Sequence, residues 1–123
     1  MDKLIFIVDD TDSILTLSAS ILEDDFRVLT MPSAAKMFSL LERKQPDMII
    51  MDVEMPEMNG FEALAVLKEN PAWNSIPVMF LTGYIDDAVL SRVAELGALS
   101  VFNKSEISTG LLEHVMGSFD AIG

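Results

Sequence analysis

The chain has 123 residues, half of them hydrophobic, with 20 acidic against 8 basic side chains and a formal net charge of −12. That length holds one domain with a real core, and the scattered Lys3, Arg27, Lys36, Arg43, Lys44, Lys68, Arg92 and Lys104 form no stripe to neutralise a nucleic-acid backbone. Cysteine is absent, which excludes disulfides, zinc–thiolate sites and thiol chemistry; no apolar run is long enough to cross a bilayer and no leader pattern appears, so a soluble, cytoplasmic protein is expected.

Two periodicities alternate along the chain. Leu4 to Val8 is a continuous apolar run ending at Asp9-Asp10, the pattern of a strand buried on both faces. Thr11 or Asp12 is positioned to cap a helix with Ile14, Leu17, Ile21 and Leu22 on its inner face. Phe26 to Met31 reads as the second strand, and Pro32-Ser33 turns into a helix carrying Ala34, Met37, Phe38 and Leu41 that Pro46 ends. Met48 to Asp52 is the third strand, followed by a break at Met55-Pro56. Asn59 can then cap a helix with Glu62 reaching back, and Phe61, Leu64 and Leu67 face inward.

Pro71 and Pro77 bracket an irregular connection containing Trp73, which therefore falls at the opposite sheet edge from the acidic strand ends. Val78 to Leu81 is the fourth strand and runs into Thr82-Gly83. A helix over Asp86 to Leu96 stops at Gly97, a left-handed C-cap, and Leu99 to Asn103 is the fifth strand, ending at Lys104. Ser108 is expected to cap a last helix with Leu111, Leu112, Val115 and Met116 inside. Five strands alternating with five helices predict an α/β domain with a parallel sheet covered on both faces.

Asp9, Asp10, Asp52, Thr82 and Lys104 all fall at carboxyl ends of buried strands, so a parallel sheet brings them to one edge. Three neighbouring carboxylates repel one another, and one lysine does not offset them. A divalent cation with hard oxygen ligands resolves the conflict, and Mg2+ suits a site of one or two carboxylates that keeps waters and recruits a phosphate. A carboxylate to attack in line, a hydroxyl to hydrogen-bond a phosphoryl oxygen and an ammonium to neutralise its charge are parts for phosphoryl transfer.

With these residues in view the chain resembles the receiver (response-regulator) domain of two-component signalling. The resemblance rests on Val-Asp-Asp at 8 to 10, Asp-x-x-Met-Pro-x-x-x-Gly at Asp52 to Gly60, Leu-Thr-Gly at 81 to 83 and the late Lys104, and it spans essentially the whole chain, 1–123, as a single receiver without an effector domain. It implies a flavodoxin-like, doubly wound sheet in strand order 2-1-3-4-5. It implies Asp52 as phosphoacceptor, a metal set of Asp10, Asp52 and the Glu54 backbone carbonyl with Asp9 acting through water, and Thr82 and Lys104 as phosphoryl-binding groups. The expected partners are a histidine kinase or phosphotransfer protein as donor and a separate downstream effector. The face formed by the fourth helix, fifth strand and fifth helix is where such domains dock partners or form homodimers. No enzyme activity beyond self-phosphorylation and dephosphorylation is implied.

Three positions depart from the family pattern. Ser105 stands where a proline joined by a cis bond usually follows the lysine, and a non-proline cis bond costs about 3–4 kcal/mol. Val101 stands where the family carries a switch aromatic; Phe102 is adjacent, but strand alternation points it to the other face. Glu54, two after the acceptor, adds a carboxylate at the pocket mouth. Val101 and Ser105 keep open the alternative of a phosphorylation-independent interaction module of the same fold, with a Mg2+-dependent phosphatase as a more distant reading. His114, the single histidine, is expected at the surface, and Met55 and Met58 are expected to flank the site as an adaptable contact surface.

Overall fold

The computed structural model describes residues 2–122. Five strands, β1 (Leu4–Val8), β2 (Arg27–Met31), β3 (Met48–Asp52), β4 (Val78–Thr82) and β5 (Ser100–Asn103), form one parallel sheet in the order β2-β1-β3-β4-β5. The helices are α1 (Asp12–Leu22), α2 (Ala34–Leu41), α3 (Gly60–Glu69), α4 (Asp87–Leu96) and α5 (Ile107–Ile122), the last entered through a 3-10 turn at Lys104–Glu106. This is the flavodoxin-like architecture and strand order expected from the sequence.

The continuous apolar strands are explained by burial on both faces, since period-two alternation sends successive side chains into two separate cores. Phe6, Val8, Ile49, Met51, Val78 and Phe80 pack with α2, α3 and α4 on one side, where Val101 joins them. Ile5, Ile7, Met48, Ile50, Met79, Leu81 and Phe102 pack with α1 and α5 on the other. Val101 and Phe102 thus take opposite faces, as alternation requires.

Local capping sets most helix starts. Asn59 Oδ1 accepts from the Glu62 N–H at 2.8 Å while the Asn59 N–H donates to Glu62 Oε1 at 3.0 Å, a complete capping box for α3. Ser33 and Asp86 cap α2 and α4 through the N–H groups of Lys36 and Val89. Gly97 closes α4 with φ +73°, a left-handed conformation that glycine adopts without Cβ strain. Trp73 lies in the turn before β4, at the amino edge of the sheet, with its ring 5.7 Å from Phe38.

The last helix differs from its expectation. α5 begins at Ile107, and the side-chain cap is Asn103 at the head of the preceding 3-10 turn, not Ser108. Met116 is 40% exposed rather than inside, because α5 rests on α1 through the narrower stripe Ile107, Leu111 and Val115. α2 ends at Leu41, well before Pro46, in a turn where the Arg43 and Lys44 N–H groups return to the Leu40 carbonyl. Met55 is buried in the core and only Met58 is half-exposed, so the two do not form a shared surface. His114 is half-buried: its Nε2 lies 3.0 Å from Ser100 Oγ and its ring 5.0 Å from that of Phe102.

One glycine bears directly on the site. A Cβ on Gly60 would sit 2.3 Å from the Asp52 carbonyl oxygen and 3.0 Å from the Phe80 ring, so only glycine lets α3 start against the end of β3. Gly60→Ala is expected to lower the unfolding free energy by about 3 kcal/mol in urea denaturation. Gly117→Ala, where a Cβ meets nothing within 4 Å, is expected to raise it by about 0.5–1 kcal/mol.

Candidate functional site

Sheet register brings the chemistry together. Val8 pairs with Met51, Asp52 with Leu81 and Thr82 with Asn103, so Asp9, Asp52, Thr82 and Lys104 leave the ladder within about one residue of each other. Ile5 and Ile7 of β1 and Met48 and Ile50 of β3 face the α1/α5 core, and the same alternation continued to Asp9, just past β1, and to Asp52, the last residue of β3, sends both carboxylates to that side. They border a cleft of about 340 Å³ lined by Asp10, Asp52, Glu54, Thr82, Tyr84 and Lys104, with Asp9 fully buried beneath. Every residue singled out in the sequence for acid, metal or phosphoryl chemistry is therefore in one place.

Lys104 organises the charges. Its Nζ lies 3.0 Å from Asp9 Oδ2 and 3.0 Å from Asp52 Oδ1. Asp9 Oδ1 accepts from the Thr11 N–H at 2.9 Å and Asp52 Oδ1 from the Glu54 N–H at 3.2 Å. The Asp52 contacts with the Glu54 N–H and the Lys104 ammonium both fall on Oδ1. Burial pushes the Asp52 carboxyl up to about 6; the hydrogen bond from Lys104 opposes that rise and the Asp9 charge adds to it. Burial alone would lower the Lys104 pKa, but its hydrogen bonds to Asp52 and then Asp9 outweigh burial and hold the ammonium above the ordinary lysine range.

The donor set fits a hard divalent cation. Carboxylate oxygens of Asp9, Asp10 and Asp52 lie within 4.8 Å of one another. Trans oxygens around Mg2+ are about 4.2 Å apart, so a contraction of a fraction of an ångström would close the set. Asp9 Oδ2 is buried and meets only the Lys104 ammonium among the described residues, and Asp10 is exposed at the mouth with room for water ligands. Both observations match a cation that keeps part of its hydration.

Two features were not legible in the sequence. Tyr84, 71% exposed, lines the mouth, and its backbone ties up the threonine: Thr82 Oγ1 donates to the Tyr84 carbonyl at 3.2 Å and accepts from the Tyr84 N–H at 3.3 Å. Its place two residues beyond Thr82 was the available signal. The loop after β3 carries the other. Glu57 has φ +70°, and the Met58 N–H donates to the Pro56 carbonyl at 2.8 Å, a γ-turn that strains a non-glycine residue.

A five-stranded parallel sheet in this order, with an acidic cleft and a lysine at its carboxyl edge, defines the receiver class of signalling domain. The sequence profile of the response regulator receiver domain matches residues 5–116, and the chain belongs to that family. A protein-glutamate methylesterase/protein-glutamine glutaminase of Halobacterium salinarum is 40% identical over 113 residues, covering 88% of this chain and 32% of the relative. The receiver domain of a signal transduction histidine kinase from Syntrophus aciditrophicus superposes with a TM-score of 0.86 at 30% identity, over 98% of this chain and 92% of that one. The phosphorylated cyanobacterial phytochrome response regulator RcpA gives 0.83 at 25% identity, over 95% and 91%. The chain spans 15% to 62% of the length of the curated relatives it matches, and the methylesterase activity is that of the whole relative. No helix among the described residues is long and apolar enough to cross a membrane.

The raised Asp52 pKa gives a signed pH dependence. The native state holds the Asp52 proton to higher pH than the unfolded chain, so in metal-free buffer this group removes stability as pH rises from 3.8 to about 6, and the loss persists above. Such a shift corresponds to about 3 kcal/mol. Asp52→Asn is expected to lack this fall and to be the more stable protein at pH 7, as measured by urea denaturation across pH.

Proposed function

We propose that this receiver takes a phosphoryl group onto Asp52 from a phosphohistidine of a histidine kinase or phosphotransfer protein. The observation that carries the reading is Asp52 itself: its Oδ1 is tied to Lys104 and the Glu54 N–H, and the residue lines a cleft together with Asp10, Thr82 and Tyr84. Oδ2 attacks phosphorus, the donor's P–N bond breaks, and the imidazole leaves with the electron pair and takes up a proton from water. Asp9, Asp10, Asp52 and the Glu54 backbone carbonyl would hold Mg2+, which supplies charge neutralisation of the transferring phosphoryl oxygens. Lys104 covers a further oxygen, and Thr82 does so once its hydroxyl leaves the Tyr84 carbonyl. The acyl phosphate carries roughly −1.5 to −2 charge at pH 7 in place of the carboxylate's −1, and that charge is drawn toward Lys104 and Thr82.

The output is a change of a protein-binding face. The expected surface is α4, β5 and α5, where Leu90 and Leu99 are exposed at 49% and 38%, and the recipient is a separate effector protein or a second copy of the chain. The receiver unit spans residues 5–116 and acts in the cytoplasm, where it catalyses its own phosphorylation and dephosphorylation.

Incubation with Mg2+ and acetyl phosphate is expected to add a single phosphoryl group by intact mass. Asp52→Asn abolishes the adduct, whereas Lys104→Ala still forms it because the acceptor remains, but more slowly because the ammonium that neutralises phosphoryl charge is gone. No adduct on the wild-type chain, or one that survives Asp52→Asn, would overturn the assignment and favour a phosphorylation-independent interaction module.

A further inference from the structure

Lys104 has to hold two buried carboxylates from a position just beyond the sheet. β5 ends at Asn103, whose partner is Thr82, so Lys104 is the first residue without a ladder bond to fix it. No peptide bond among the described residues is cis, and Ser105 supplies no ring to restrict the backbone.

A different constraint occupies that place. Asn103, with φ −80° and ψ 127°, turns its side chain forward along the chain. Its Oδ1 accepts from the Ser105 N–H at 2.9 Å and from the Ser105 hydroxyl at 2.8 Å. Two bonds on one oxygen join the residues on either side of Lys104 and close a short ring around its backbone. Rings of this length cost little chain entropy to close, and asparagine forms them readily outside helix interiors. The ring launches the 3-10 turn, in which the Ile107 N–H donates to the Lys104 carbonyl, and Ile107, the first residue of α5, is fully buried. Lys104 is therefore held on one side by the Asn103–Ser105 ring and on the other by a core residue, with its ammonium 3.0 Å from each of Asp9 and Asp52.

We propose that Asn103 and Ser105 are positioning residues for the phosphoryl chemistry, acting as a hydrogen-bonded clamp that aims Lys104 at Asp9 and Asp52. The chemical role rests on Asp52 being the phosphoacceptor; the placement of the ammonium does not. Neither side chain lines the cleft, so their effect reaches the reaction only through Lys104.

Two readouts on the full chain test the clamp. The first is the 1H–15N correlation of the Lys104 side-chain ammonium in the unphosphorylated protein, assigned by its loss in Lys104→Ala. Wild type is expected to show a slowly exchanging signal, Asn103→Ala to lose it, Ser105→Ala to weaken it and Ser105→Thr, which keeps the hydroxyl, to restore it. The second is the rate of adduct formation from acetyl phosphate with Mg2+. Asn103→Ala is expected to slow it about tenfold, equivalent to ~1.4 kcal/mol, whereas in a Lys104→Ala background the same substitution changes nothing.

A merely structural role would slow both backgrounds alike, and that result would overturn the proposal. An ammonium signal indifferent to both Asn103→Ala and Ser105→Ala would overturn it too. A wild-type chain that takes up no phosphoryl group, yet whose ammonium signal depends on Asn103, supports the clamp and removes the phosphoacceptor reading instead.

Discussion

Two buried carboxylates face one ammonium, and the rest of the domain is arranged around that imbalance. Asp9 and Asp52 each lie 3.0 Å from Lys104 Nζ, and their exposure is 0% and 3%. A single positive charge leaves the cluster net negative in a site with little water, and the pKa of Asp52 rises to about 6 as a result of burial and its acidic neighbour. A hydrophobic replacement would suit stability better, since unbalanced buried charge is unfavourable. Asp9, Asp10 and Asp52 would hold a divalent cation, which would supply the positive charge that the cluster lacks.

The backbone holds this arrangement by close approach rather than by many bonds. Gly60 lets α3 begin against the Asp52 carbonyl, and the Gly60 N–H returns to the Val53 carbonyl at 2.8 Å. Between them the loop passes through the strained γ-turn at Glu57, so residues 53–60 are folded back on the acceptor. On the other side of the sheet edge, Asn103 and Ser105 fix the departure of Lys104. Thr82 is engaged with the Tyr84 backbone, so its hydroxyl must change partners before it can bind a phosphoryl oxygen. Under the proposed phosphorylation, that exchange would link charge arriving at Asp52 to the loop entering α4.

What the sequence revealed follows from which features are local. The strands were legible because burial on both faces leaves continuous apolar runs, and α3 because Asn59 and Glu62 form a capping box within four residues. The acids and Lys104 were legible because parallel topology gathers strand ends. The start of α5 was not: Asn103 caps through a side chain that also belongs to β5, and propensity alone favours Ser108 as the cap. Val115 is buried as expected, but Met116 falls outside the stripe of Ile107, Leu111 and Val115 that α5 buries, while the His114 ring is half-buried against Phe102. Tyr84 escaped notice because its contact with Thr82 runs through backbone atoms, which no residue type announces.

The charge imbalance is most directly measured at the Asp52 carboxyl carbon, by 13C NMR titration with a chelator and again with saturating Mg2+. The account predicts a midpoint near 6 without metal and a marked fall when Mg2+ is added. A midpoint near the ordinary 3.8 in the chelator, unmoved by Mg2+, would contradict it.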